Sequence, residues 1–106
     1  MWKMAVTRDL FLGFIQLHIL HHAGREPVYG LWLIEELARH GYALSPGTLY
    51  PILHKLEKQG LLVGERQVVL GKVRKCYRLT PIGQVTLDEG RTRAAELMDE
   101  IVDGEV

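Results

Sequence analysis

A chain of 106 residues with 47% hydrophobic and 25% charged residues has the make-up of one folded domain with a single modest core, which excludes a multidomain organisation and a disordered polymer alike. One cysteine, Cys76, excludes an intrachain disulfide framework. No apolar run approaches 18 residues and the start lacks a secretory cleavage site, so a reducing cytoplasm is the expected compartment. The formal charge is zero but uneven: residues 45–80 carry +5 and residues 81–106 carry −5, the footprint of a polyanion site beside an acidic tail.

From Thr7 to about Ala23, Leu10, Phe11, Leu12, Phe14, Ile15, Leu17, Ile19 and Leu20 go nearly all the way round a helix. Such a helix is buried on more than one side, so one face is expected on its own core and the other against another element or a second subunit. Gly24 is expected to end it, with a turn at Arg25-Glu26-Pro27. His18 and His22, four apart on one face of this helix, have spacing that can hold a divalent transition metal. Two ligands are not a site, and a partner subunit or Asp99, Glu100 and Asp103 of the tail would have to complete it; the other reading is cap or interface histidines.

A second helix is expected from Tyr29 or Gly30 to His40, with Leu31, Ile34, Leu37 and Ala38 as its core stripe, Trp32 and Leu33 widening it, and Gly41 as the cap. The short connection Gly41-Tyr42-Ala43-Leu44 leads to SPGTLYPILHKLEKQG, residues 45–60, the most sharply signalled helix of the chain. Ser45 is an N-cap, Pro46 suits the first helical position and Gly60 supplies the stop. Leu49, Ile52, Leu53 and Leu56 share one face, while Thr48, Tyr50, His54, Lys55 and Lys58 lie off it. Two helices joined by a short glycine-containing turn form the layout of a helix-turn-helix. Pro51 breaks the pattern, because it has no N–H for the carbonyl of Gly47. Two readings stand: a tolerated kink, or a distorted first turn whose Ser45 to Thr48 N–H groups form an anion site.

After Gly60 the period changes to that of strands. Leu61-Leu62-Val63 opens one, Gly71 marks a turn, and Val73 to Leu79 alternates, giving a hairpin with a basic tip and flank. Residues Gln67 to Leu70 either extend the first strand or belong to the loop. Thr80-Pro81 then caps and opens a last helix running to about Val102, with Ile82, Val85, Leu97, Met98, Ile101 and Val102 apolar. Gly83 and Gly90 weaken that helix in isolation, so it needs something to pack on.

Helix, helix, turn, helix, hairpin, helix is a winged helix-turn-helix, mostly α with a small β-hairpin wing (α-α-α-β-β-α). The runs Gly47-Thr48-Leu49-Tyr50-Pro51-Ile52-Leu53, Leu56 to Leu62, and Arg74-Lys75-Cys76-Tyr77-Arg78-Leu79-Thr80 with Gly83 resemble the PadR family of bacterial transcriptional regulators over roughly residues 10 to 90. The resemblance implies that residues 1–80 form the DNA-binding domain and residues 81–106 a dimerisation helix. It also implies a homodimer built through the N- and C-terminal helices, which binds operator DNA by helix and wing and acts as a repressor. Three positions depart from the family pattern: Gly30-Leu31 replaces a common Gly-Tyr, with Tyr29 beside it; Cys76 replaces a tyrosine; and the last helix is short and lacks aromatic residues, unlike relatives with an aromatic drug pore.

On this reading double-stranded DNA is the partner, with Thr48, Tyr50 and His54 in the groove and Ser45 and Gly47 offering N–H groups to phosphate. Lys55, Lys58, Lys72, Arg74 and Lys75 supply salt-dependent attraction. Tyr50 has a second reading as a partly buried helix residue. No cofactor is required; a metal or small molecule is the expected kind of effector, and a metal-responsive regulator using His18 and His22 is the variant that the histidines suggest. No phosphate loop, nucleophile elbow or HExxH motif appears, so no enzyme is expected. The rival class is a winged helix that binds protein through Trp2, Trp32 and the acidic tail.

Overall fold

In the computed structural model, which describes residues 5–104, four helices surround a small antiparallel sheet. Trp2, named above as a protein-contact residue, lies outside the described residues. Helix α1 spans Ala5–Arg25, strand β1 Val28–Tyr29, helix α2 Gly30–Arg39, helix α3 Pro46–Lys58, strand β2 Leu62–Val69, strand β3 Lys72–Leu79 and helix α4 Pro81–Ile101. The core lies where α1, α2 and α3 meet the sheet, built on Ile15, Ile19, Leu20, Leu33, Leu37, Leu49, Leu53, Leu56, Leu62, Tyr77 and Leu87. Each such side chain contributes about 1.5–3 kcal/mol relative to being left in water.

Gly24 does not end α1; the helix passes through it to Arg25. A Cβ there would lie 2.9 Å from Leu79 Cδ2 and 3.6 Å from Leu87 Cδ2, so the glycine admits β3 and α4 at close range. Gly90 does the same in the other direction, where a Cβ would stand 2.6 Å from Leu17 Cδ1. The two glycines therefore set how closely α1 and α4 pack.

The core stripe of α2 is Gly30, Leu33 and Leu37, with Ile34 half-buried, and Leu31 and Ala38 face outward. The sequence offers two overlapping stripes at three- and four-residue spacing, and the docking of the helix on α3 selects the one that starts at Gly30. Both α2 and α3 end alike. The N–H of Tyr42 reaches the Leu37 carbonyl and that of Gly41 the Ala38 carbonyl; Leu61 reaches Leu56 and Gly60 reaches Glu57, all at 3.0 Å. Gly41 and Gly60 have φ of +90° and +78°, the left-handed conformation this double bond requires.

The sheet has three strands, not the two expected, in the order β1-β3-β2. Val28 pairs with Tyr77 and Tyr29 with Cys76, which makes β3 the central strand and buries Cys76 and Tyr77 side by side. A two-residue strand is too short to leave a periodic signal. Strand β2 extends to Val69, opposite Lys72, so Leu70-Gly71 is a two-residue turn with φ of 52° and 77°, the type I′ geometry that twisted hairpins prefer. The tip is less basic than expected: Leu70, Val68 and Val73 stand exposed around Lys72.

Candidate nucleic-acid interface

Helix α3 is fastened by its apolar face and bare on the other. Leu49, Leu53 and Leu56 are buried, Ile52 is half-buried, Thr48 is half-exposed, and Tyr50, His54, Lys55 and Lys58 are exposed. Ser45 adopts the extended backbone of an N-cap, but its hydroxyl lies 3.3 Å from the Thr48 hydroxyl and makes no cap bond. The Thr48 and Leu49 N–H groups both converge on the Ser45 carbonyl, at 3.0 and 2.9 Å. The first turn is therefore tight, and the anion-site reading contracts: Thr48 is committed, Pro46 has no N–H, and the Ser45 and Gly47 N–H groups are the donors left. The helix runs unbroken through Pro51, whose ring is exposed, as is Gly47. Water can therefore reach the carbonyl that the proline leaves without its usual donor.

Tyr50 belongs partly to each of its two readings. It is 37% exposed, yet a Cβ on Gly30 would fall 2.4 Å from its hydroxyl and 2.7 Å from Cζ. The ring thus rests on the first residue of α2 and holds that helix end against α3. Only a glycine permits the approach.

The wing carries its cations on two faces. Arg74 lies over the Tyr29 ring at 5.9 Å, and the Tyr29 hydroxyl donates to Gln67 Oε1 at 2.9 Å, so β1 and the wing are braced together. Lys75 is differently placed: its Nζ stands 3.1 Å from Glu57 Oε1 and 5.2 Å from the Tyr77 ring centroid. Glu57 also accepts the Gly64 N–H at 3.2 Å, and this carboxylate raises the lysine pKa above its ordinary value. Lys75 thereby ties α3 to the sheet and is the one cation of the expected set with a carboxylate partner. Among the described residues Lys55, Lys58 and Lys72 form no ion pair. The signal for Glu57 was faint, since its i−18 relation to Lys75 follows from the fold alone.

The structure brings His18 and His22 together with a third histidine. His40, at the end of α2, places its ring centroid 4.7 Å from that of His18, and His18 lies 6.3 Å from His22. Glu36 Oε2 is 3.0 Å from His40 Nε2 and 3.5 Å from His22 Nε2. Burial, the leading cause, pushes the pKa values of His18 and His22 below the ordinary 6.5. The sequence offered Asp99, Glu100 and Asp103 as completing ligands; within one chain they lie on or beyond the end of α4, outside this group, and His40 is its third member. His21 turns elsewhere, with Nδ1 3.4 Å from the Arg91 guanidinium. Beside the cluster, His22, Arg25, Tyr29 and Trp32 help line a cleft of about 430 Å³.

Three helices ending in a supported α3, followed by a hairpin on the same core, define a winged helix-turn-helix, a class whose third helix is shaped to enter a DNA groove. A family profile described as the transcriptional regulator PadR-like family matches residues 19–89. The chain is 54% identical over 98 residues to a Mycobacterium tuberculosis protein named transcriptional regulator Rv3488, with 92% of each chain covered. Among solved structures, a PadR family transcriptional regulator from Eggerthella lenta is similar with 35% identity and a TM-score of 0.77, over 93% of this chain and 88% of that one. A PadR-like transcriptional regulator from Bacillus cereus is similar with 29% identity and a TM-score of 0.83, over 90% and 94%. The chain belongs to the PadR-like family of transcriptional regulators. The relatives that match over most of both chains are named transcriptional regulators, and no helix of the described residues is long and apolar enough to cross a membrane.

Proposed function

We propose that this protein is a sequence-specific DNA-binding repressor that acts as a homodimer on an inverted-repeat operator. The observation that carries the reading is the state of α3: three buried leucines fix it to the core, while its outer face and the adjoining wing hold Lys55, Lys58 and Lys72 without carboxylate partners. A helix fixed on one side and cationic on the other suits a polyanion with a groove. Thr48, Tyr50 and His54 read base edges; Ser45 and Gly47 meet phosphate; Lys55, Lys58, Lys72 and Arg74 add sequence-independent attraction. Lys75 contributes to that field while it braces the wing.

The homodimer reading rests on apolar side chains that one copy leaves in water: Leu10 and Phe14 on α1, and Val85, Leu97, Met98 and Ile101 on α4, are 39% to 70% exposed. Burial of that surface against a second copy pairs the two α3 helices, which then reach successive major-groove faces about 34 Å apart. Repression follows if the dimer covers a promoter, and an effector that alters the pairing releases it.

A fluorescence-anisotropy titration of the full chain against duplex from its own upstream region, with scrambled duplex as control and at two salt concentrations, tests the reading. The expected result is selective binding that weakens with salt and with Tyr50→Ala. Equal, weak binding to both duplexes overturns it.

A further inference from the structure

His18, His22 and His40 come from two helices and meet in one place. The first two share a face of α1 at i, i+4 spacing. The third is delivered by the end of α2, where the left-handed Gly41 and the bond from the Tyr42 N–H to the Leu37 carbonyl fix the chain's exit. One ring nitrogen from each of the three lies within 4.8 Å of the other two. Ligand nitrogens at about 2.0–2.1 Å from a tetrahedral ion stand roughly 3.4 Å apart, so closure takes ring movements on the order of 1 Å. His40, exposed at a helix end, has the room to make them.

The surroundings suit a cation better than they suit three packed rings. Glu36 brings a carboxylate to the edge of the cluster, within 3.0 Å of His40 and 3.5 Å of His22, which offsets half the charge of a dication. Imidazole-rich ligation with a single carboxylate selects zinc, cobalt, nickel or copper over calcium and magnesium, which require oxygen cages. Tyr42 and Trp32 wall the cluster, with ring centroids 5.8 Å from His18 and 5.2 Å from His22 respectively.

We propose that His18, His22 and His40 bind one divalent transition-metal ion per chain, with Glu36 as the adjacent carboxylate. The ion joins the second half of α1 to the end of α2, the helix on which Tyr50 of α3 rests. Metal binding is thus placed in the scaffold of α3 and not on its outer face.

The test uses the full chain, stripped with chelator and free of DNA, so its outcome is separate from that of the DNA reading. Cobalt(II) gives visible absorption on tetrahedral capture, and Trp32 fluorescence in a Trp2→Phe background reports zinc, because Trp32 touches His22. Saturation at one equivalent is expected. Affinity should drop by at least about 10-fold in each of His18→Ala, His22→Ala and His40→Ala, and by about 10-fold in Glu36→Gln. His21→Ala, whose ring is engaged by Arg91, should bind as the parent does. Circular dichroism of each variant checks that the fold persists, and His40→Ala, at an exposed position, keeps the test available if a buried-side variant fails to fold. No saturable binding by the parent, or parent-like affinity in His40→Ala, overturns the proposal.

Discussion

The outer face of α3 and the far half of α4 are both uncovered, and the two surfaces are opposite in kind. On α3 the exposed side chains are Tyr50, His54, Lys55 and Lys58, groups that water solvates well and that cost little to leave bare. On α4 large apolar side chains stand exposed among charged ones: Leu97, Met98 and Ile101, continued by Ile82 and Val85 nearer its start. Water is a poor medium for that second surface, and a patch of this kind marks a place where protein meets protein. One region invites an attraction that salt screens, and the other invites burial that salt barely touches. On the proposed reading, a single folding unit keeps DNA and a second copy apart by physics as well as by position.

The largest expected effect comes from charging the apolar surface. Met98→Asp with Ile101→Asp should convert the proposed dimer to monomer in sedimentation analysis, a loss of roughly 3–5 kcal/mol of association, with little dependence on salt. Retention of the dimer would break the comparison on that side. Next is the joint between the two regions. Gly83→Ala would set a Cβ 2.1 Å from the Leu61 carbonyl oxygen, backbone that cannot turn aside, and should cost about 1–3 kcal/mol in thermal denaturation as α4 is pushed off the loop after α3.

On the other side, Lys72→Ala should weaken operator and random duplex about equally and flatten the salt dependence by about one unit of slope, as measured by anisotropy. Lys75→Met sharpens the contrast among the cations, because its partner is Glu57. It should reduce stability, and the wild-type advantage should be present below pH 10.5 and vanish as pH rises through the lysine's raised pKa; alkaline melts of the two proteins should converge. The smallest effect is at the wing tip. Leu70 adopts φ of 52° in a turn that favours asparagine, so Leu70→Asn should stabilise by about 0.5–1 kcal/mol in chemical denaturation, without changing the dimer.

Much of the fold was legible in the sequence because it rests on local signals. Ser45-Pro46 and Thr80-Pro81 open helices where they were expected to, and the Thr80 hydroxyl accepts the Gly83 N–H at 2.9 Å as an N-cap should. Gly41 and Gly60 close helices because the left-handed turn they adopt needs no information from elsewhere. The three-leucine face of α3 was equally clear. What misled was every glycine whose reason is a distant neighbour: Gly24 looked like a stop and is a contact with Leu79 and Leu87, and Gly30 gave no hint that Tyr50 would lie on it.

The sequence by itself thus determined the starts of α3 and α4 and the ends of α2 and α3, the winged helix-turn-helix order and the concentration of positive charge in residues 45–80, since capping, periodicity and charge act over a few residues. Only the tertiary structure decided that Val28-Tyr29 forms a third strand, that Lys75 is bound to Glu57, and that His40 with Glu36 joins His18 and His22. These pairings cross 14 or more residues of chain, except that of His40 with Glu36, and at such separations the docking of whole helices sets which side chains meet.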